Sequence, residues 1–126
     1  MAASIKAKPT LVTYKAGEDL RLLQHRFVYL SAEDTVSKAT ANKRTIGILQ
    51  NTPNLGEEAI VAVEGQSLLT VDAAYATIGS ILKSDANGKG DLADTTKDEV
   101  GAETCEASGA ADDKIVVFLR RFIATV

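Results

Sequence analysis

The chain contains no tryptophan and only one cysteine, one histidine, one methionine and two prolines among its 126 residues. Each scarcity excludes something. One cysteine cannot close an internal disulfide, so stability has another source. One histidine cannot build a metal centre of the usual multi-histidine kind. Three Phe and three Tyr beside 19 Ala leave little material for an aromatic-lined ligand pocket. The longest apolar runs, Ala59 to Val63 and Ile115 to Leu119, are five residues each, against about 20 for a membrane helix. The start, Met1 to Leu11, carries Lys6 and Lys8 and no apolar stretch of signal-peptide type. The expectation is a product that stays in the cytoplasm of the cell that makes it.

What is present is ordinary globular material: 45% hydrophobic and 25% charged residues. Val, Ile and Thr are abundant, which favours strands around a core of small side chains. The net charge of -3 makes nucleic acid and anionic membrane poor partners. Charge is also uneven. Residues 1–30 and 114–126 are basic, whereas 85–113 hold two lysines and nine acids. An acidic loop region in solvent accounts for this. A sharper reading is a self-complementary surface, with the basic ends of one copy meeting the acidic stretch of another.

Residues 1–10 lack periodicity and read as an arm, flexible unless docked. Pro9 has no N–H, which suits an arm or a sheet edge. The domain is drawn as an extended arm over 1–11 and a single β-rich unit over 12–126. Strands are expected at Leu11 to Tyr14, Arg26 to Leu30, Val36 to Thr40, Thr45 to Gln50, Ala59 to Val63 and Gln66 to Val71. Ile81 to Lys83, Val100 to Ala107 and Ile115 to Ile123 follow. Asn51-Thr52-Pro53-Asn54-Leu55-Gly56 is a wide turn, and Asn87-Gly88 signals a hairpin. Asp72 to Ile78 fits a helical turn or a loop. No window carries a 3.6-residue stripe, so long helices are not expected.

The chain also echoes itself. Ile46-Gly47 is followed by Val61 and Val63 at the offsets at which Val100-Gly101 is followed by Ile115 and Val117. Gly17-Glu18-Asp19-Leu20 parallels Gly79-Ser80-Ile81-Leu82. The fold class is therefore mainly β: a compact barrel or sandwich of two similar β-units closing on one core, with a flexible N-terminal arm and little helix.

Chemistry is hard to find. His25 has no evident triad partner. Cys105, between Glu103 and Glu106, sits in the wrong company for a nucleophilic thiol and reads as a packing residue. Asp85-Ala86-Asn87-Gly88-Lys89-Gly90-Asp91 begins like a calcium loop but has Lys89 at its fifth position and Thr96 at its twelfth. Adjacent acid pairs fall at turns and strand ends, where neighbours diverge. No catalytic, cofactor or metal residue is assigned. Arg120 and Arg121, on opposite faces of the last strand, are candidate inter-subunit contacts.

Several segments resemble the small bacteriophage capsid decoration, or cement, proteins. They are Tyr14-Lys15-Ala16-Gly17-Glu18-Asp19-Leu20 with Gln24-His25-Arg26-Phe27-Val28, then Thr45 to Pro53 with Gly56 to Gly65, then Gly79 to Asp85 and Ile115 to Arg120. Together they cover roughly residues 12–121; residues 91–113 fit least. The resemblance implies a structural virion protein without enzymatic activity or cofactor. It implies synthesis in the host bacterial cytoplasm and binding to the outside of a tailed-phage head at junctions between capsomers. There it would stabilise the expanded, DNA-filled shell. The implied partners are the major capsid protein and further copies of the chain, a homotrimer being favoured. The arm would reach neighbouring capsid subunits, with Lys6, Lys8, Pro9 and Thr10 as its contact residues. Two other readings stand beside this one: another small virion β module of tail or baseplate, and a small-ligand-binding β-barrel.

Overall fold

A computed structural model describes residues 5–123 apart from 76 and 94–97, with the backbone alone for 122 and 123. Ten strands follow in chain order: β1 (Thr10–Ala16), β2 (Phe27–Ala32), β3 (Thr35–Lys38), β4 (Gly47–Leu49), β5 (Glu58–Glu64), β6 (Gln66–Thr70), β7 (Ile81–Ser84), β8 (Gly90–Leu92), β9 (Glu99–Thr104) and β10 (Lys114–Ile123). No helix occurs among the described residues.

The first five strands close into a barrel in the order β1-β3-β2-β4-β5. β1 runs antiparallel to β5 and parallel to β3, the latter only at Lys15 and Ala16. The last five form a sheet in the order β6-β10-β9-β7-β8. A single parallel bridge, Val71 to Gly90, links the two ends of that sheet. Neighbour relations are thus the same in both halves, with β1 to β5 corresponding to β6 to β10. The turn from one half to the next is Gly65, at φ 86.

The hydrogen bonds fix the correspondence residue by residue. His25 N–H donates to the Leu49 carbonyl and Leu49 N–H to that of Arg26; Gly79, Thr104 and Ser80 repeat the pattern. Ala16 donates to Glu57 and accepts from Gly56, as Val71 does with Asp113 and Asp112. Ala39 donates to Phe27 as Ala93 does to Ile81. Side chains join in: Asn51 Oδ1 accepts from the Ile60 N–H at 2.9 Å, and Glu106 Oε1 from the Val116 N–H at 2.8 Å. Corresponding residues are 54 to 56 apart, from His25 and Gly79 (79 − 25 = 54) to Glu57 and Asp113 (113 − 57 = 56).

This duplication is the one the sequence suggests, but its residue matches differ. By hydrogen bonding Gly47 corresponds to Ala102, one residue past Gly101, and Val61 to Val117 instead of Ile115. Gly79 matches His25, not Gly17. The reason is that loops of unequal length shift the offset by one at each connection. Backbone demand persists while residue identity drifts. Positive φ recurs at His25 and Gly79, at Asp34 and Gly88, and at Gly56 and Asp112. Asp and His tolerate the left-handed region better than most side chains, so glycine is not required in both copies.

The single core expected from the sequence is divided among the described residues into two large clusters and a small one of Ala93 and Val100 with Ile81 against it. One cluster fills the barrel: Ala16, Leu20, Val28, Val36, Leu49, Ala59 and Val61. The other gathers Leu69, Val71, Leu82, Ala102, Ile115 and Val117 of the second half and is completed by Phe27, Ala39 and Ile48 from the first. Phe27 is wholly buried there, and a Cβ on Gly101 would come within 2.7 Å of its ring. The two halves therefore interlock through one aromatic side chain.

Expected strands meet observed ones closely, with two differences. The expected Asn87-Gly88 turn is real, but the loop is wider: Ser84 pairs with Gly90, and only Gly88 has positive φ. Asp85 organises it, its Oδ1 accepting from the N–H groups of Asn87 and Lys89 at 2.8 and 2.9 Å. β8 itself went unread, because Gly90-Asp91-Leu92 lacks any strand pattern. Asp72 to Tyr75 is loop, and Thr96 lies outside the described residues.

Candidate functional site

The described part of the N-terminal arm is held by its own domain. Gln66 Oε1 accepts from the main-chain N–H groups of Lys6 and Ala7 at 2.7 and 2.9 Å. Gln66 N–H returns a bond to the Ala7 carbonyl at 3.1 Å. A Cβ on Gly65 would lie 2.6 Å from the Lys8 carbonyl oxygen, so glycine there admits the arm. On the arm's side these contacts use backbone only. The side chains of Lys6 and Lys8 face solvent, and Pro9 is half-buried. Strand pairing begins at Thr10, opposite Glu64, so Thr10 and Leu11 belong to β1 and the sequence-drawn arm runs two residues too far. Ala2 to Ser4 lie outside the described residues.

Arg120 and Arg121 lie where the pairing of β10 with β9 is irregular, between Leu119 and Phe122, and they have different surroundings. Arg120 Nε donates to Glu103 Oε1 at 2.9 Å, and its guanidinium lies 5.7 Å from the Phe118 ring centroid. Arg121 instead borders an open groove of about 530 Å³ with Tyr29, Leu30, Lys43, Arg44 and Ile46. Lys43 Nζ stands 4.7 Å above the Tyr29 ring. The acidic stretch finds cations within the same chain: Arg44 with Glu99, Lys83 with Asp98, Lys89 with Asp112 and Arg120 with Glu103. Part of the charge that the sequence offers to a second copy is therefore neutralised internally. Lys89 beside Asp112 also holds that carboxyl below its usual range.

Among the described residues His25 and Cys105 are not brought together with partners for catalysis. His25 Nδ1 is buried without a hydrogen-bond partner among the described residues, and burial, then Lys114, pushes its pKa down. Its backbone is structural, with positive φ and a carbonyl that accepts from Thr70 of the second half. Cys105 Sγ accepts from Gln66 Nε2 at 3.6 Å and donates to the Glu103 carbonyl at 4.0 Å. The sequence missed one polar cluster. The Tyr75 hydroxyl donates to Asp72 Oδ1, accepts from the Leu92 N–H and lies 3.4 Å from Asp91 Oδ1. Burial raises the pKa of both Asp72 and Tyr75. No group of three or more His, Cys, Asp or Glu among the described residues could hold a metal. No helix among them is long and apolar enough to cross a membrane.

One feature of β1 stands apart. Thr10 to Thr13 are exposed on both faces, with Leu11 at 52% and Val12 at 37%. Ala16 N–H points to β5 and that of Lys15 to Asp34 beside β3. By the two-residue repeat, Leu11 and Thr13 aim their N–H groups outward as Lys15 does. Neither has an acceptor among the described residues.

These features define a class: an all-β fold of two matched five-strand units. Scans against family models and curated proteins find no match. Among solved structures the chain is similar to the N base of head fiber gp8.5 in bacteriophage phi29. The TM-score is 0.71 at 13% identity, covering 94% of this chain and 100% of that one. At that identity the likeness is one of fold.

Proposed function

We propose that this protein is a non-enzymatic structural component of a tailed-phage virion, seated on the outside of the head as a decoration protein. The observation that carries the reading is the fold shared over nearly the whole chain with a phage head-fiber base. It joins the sequence resemblance to capsid decoration proteins over roughly residues 12–121. In this reading the chain contacts the major capsid protein at junctions between capsomers and stabilises the expanded, DNA-filled shell. It acts as a homotrimer made in the host cytoplasm, and neither nucleic acid nor membrane is a partner. The mechanism is adhesion. A clip that straddles several subunits raises the free energy of their separation, and many identical clips act together.

Lys6, Lys8, Pro9 and Thr10 are assigned to the capsid contact. The two lysines suit it because their side chains are free while their backbone is already ordered. A docked arm avoids an ordering cost of about 1–2 kcal/mol per residue. Arg121, bordering the groove with Lys43 and Arg44, is assigned to a subunit contact. Arg120 is engaged with Glu103 and could serve only by exchanging that partner.

Co-sedimentation with undecorated heads of the source phage tests the proposal. Binding at fixed stoichiometry, with heads made more resistant to heat, is the expected result. Heads equally robust with and without the protein contradict a stabilising role. A second reading, a base carrying a distal fibrous segment, follows from the same structural likeness. The mass of the virion-borne polypeptide separates the two.

A further inference from the structure

The turn between β4 and β5 holds a leucine out to solvent. Leu55 is 65% exposed, yet the backbone that carries it is fixed. Asn54 Oδ1 accepts from the Leu55 N–H at 2.8 Å, and Glu57 Oε1 from the Asn54 N–H at 2.6 Å. The Gly56 N–H donates to the Ala16 carbonyl at 2.9 Å. A side chain presented on an ordered turn costs little further ordering when it is covered. Its surroundings are acidic. Asp34, Glu57 and Glu58 border a patch with Gly56 of the same turn. Of the cations beside them, Lys15 and Arg21, the latter is bound to Asp19 at 2.9 Å. Three carboxylates therefore stand against one lysine.

The groove at Arg121 has the opposite character. Tyr29, Leu30 and Ile46 give it apolar walls, and Lys43, Arg44 and Arg121 line it with no carboxylate among the lining residues. Glu99 holds Arg44 at 3.3 Å, so three cations stand against one carboxylate. At about 530 Å³ the groove is in the range that holds a drug-sized molecule, and it admits a leucine with part of its turn. The acidic stretch 85–113 is not its complement, since Asp98, Glu99, Glu103 and Asp112 hold cations of their own chain.

We infer that the groove between Tyr29 and Arg121 receives the Leu55 turn of a second copy, with Glu57 and Glu58 of that copy against its basic rim. The match is of apolar tip to apolar wall and of excess negative to excess positive charge. Turn and groove share no residue, so one copy can offer both at once. A contact between two different patches is heterologous, and it closes into a ring when the rotation allows. Two like patches would instead repel. This inference rests on the proposed homotrimer and adds to it which surfaces join the copies.

Sedimentation equilibrium of the free protein measures the contact. The parent should associate, and less tightly as salt rises from about 0.05 to 0.5 M. Leu55→Ser and Arg121→Glu should each weaken association at least about tenfold, while melting within a few degrees of the parent when dilute. Ile78→Ser, at a leucine-sized side chain 67% exposed elsewhere, is the control and should associate as the parent does. Glu58→Lys should weaken association, and combining it with R121E should restore part of the loss, a result that a merely unfolded variant cannot give. Parent-like association of L55S or R121E overturns the inference while the homotrimer survives. So does association indifferent to salt, an I78S as damaging as L55S, or a double variant no better than its singles. A parent that stays a monomer overturns both the inference and the homotrimer. If R121E then weakens binding to heads, the shell protein is the occupant of the groove.

Discussion

The two halves of this molecule share a wiring diagram but not a degree of completion. The barrel of β1 to β5 fills its own interior, whereas the sheet of β6 to β10 borrows Phe27, Ala39 and Ile48 to finish its core. At the edges the relation reverses at one position. Gln66 of β6 donates to Ala7 of the arm, whereas its β1 equivalent, Leu11, has no such acceptor among the described residues. The difference lies in a few backbone bonds, not in a change of fold.

The comparison can be broken most severely at Gly47, where a Cβ would stand 2.1 Å from the Ala62 carbonyl oxygen. The counterpart in the second half, Ala102, carries its Cβ in a buried site. Gly47→Ala should cost at least about 3 kcal/mol, whereas Ala102→Gly should cost about 1 kcal/mol. Chemical denaturation of both variants measures the asymmetry. Equal costs would contradict the close approach of the Ala62 backbone at Gly47. Phe27→Ala should lose about 3–5 kcal/mol and loosen both halves together. An unfolding trace in which only one half melts early would argue against interlocking.

A smaller test uses the turn between the second and third strands of each half. Gly88 has φ 76 and a near approach to the Phe27 carbonyl, so Gly88→Ala should cost about 1–2 kcal/mol. Asp34, at φ 50, already accepts that geometry with a side chain, and Asp34→Gly should change stability by under about 0.5 kcal/mol. A third contrast is His25 against Gly79. Burial lowers the His25 pKa below its ordinary 6.5, so below that pH the unfolded chain takes up a proton that the folded chain resists. Stability should fall as pH drops through 6.5 toward the folded-state value and be flat above it. His25→Asn, which tolerates positive φ, should remove that part of the slope. A melting temperature with the same pH dependence in both proteins would remove His25 from the account. Least of all, Lys6→Glu with Lys8→Glu should leave the melting temperature within about 1 °C while weakening head binding, and unchanged binding would free the arm of its assigned role.

Much of the fold was legible because strand alternation and turn chemistry are local. The wide turn at Asn51 to Gly56 is an instance: Asn51, Glu57 and Gly56 each meet a local backbone need. Duplication was legible as well, through composition and spacing. Its residue matches were not, because insertions of one residue in loops shift every later offset and because Asp112 or His25 can occupy a site that glycine fills elsewhere. β8 escaped notice since three residues with one apolar side chain carry no period. The Tyr75 cluster with Asp72 and Asp91 was equally hidden, its members being 3 to 16 residues apart in loop and edge strand. Lys6, Lys8 and Arg121 are exposed, as long charged side chains usually are. The open edge of β1 could not be named from sequence, since an unpaired N–H is a property of pairing and not of residue type.

The central claim is that this chain works by occupying seams on a protein shell. An electron-microscopy map of the source phage's mature head tests it most directly. The account predicts density for two matched five-strand units on the outer surface at capsomer junctions. A map that fits the chain into tail or baseplate instead, or mature particles in which the polypeptide is missing, would contradict it.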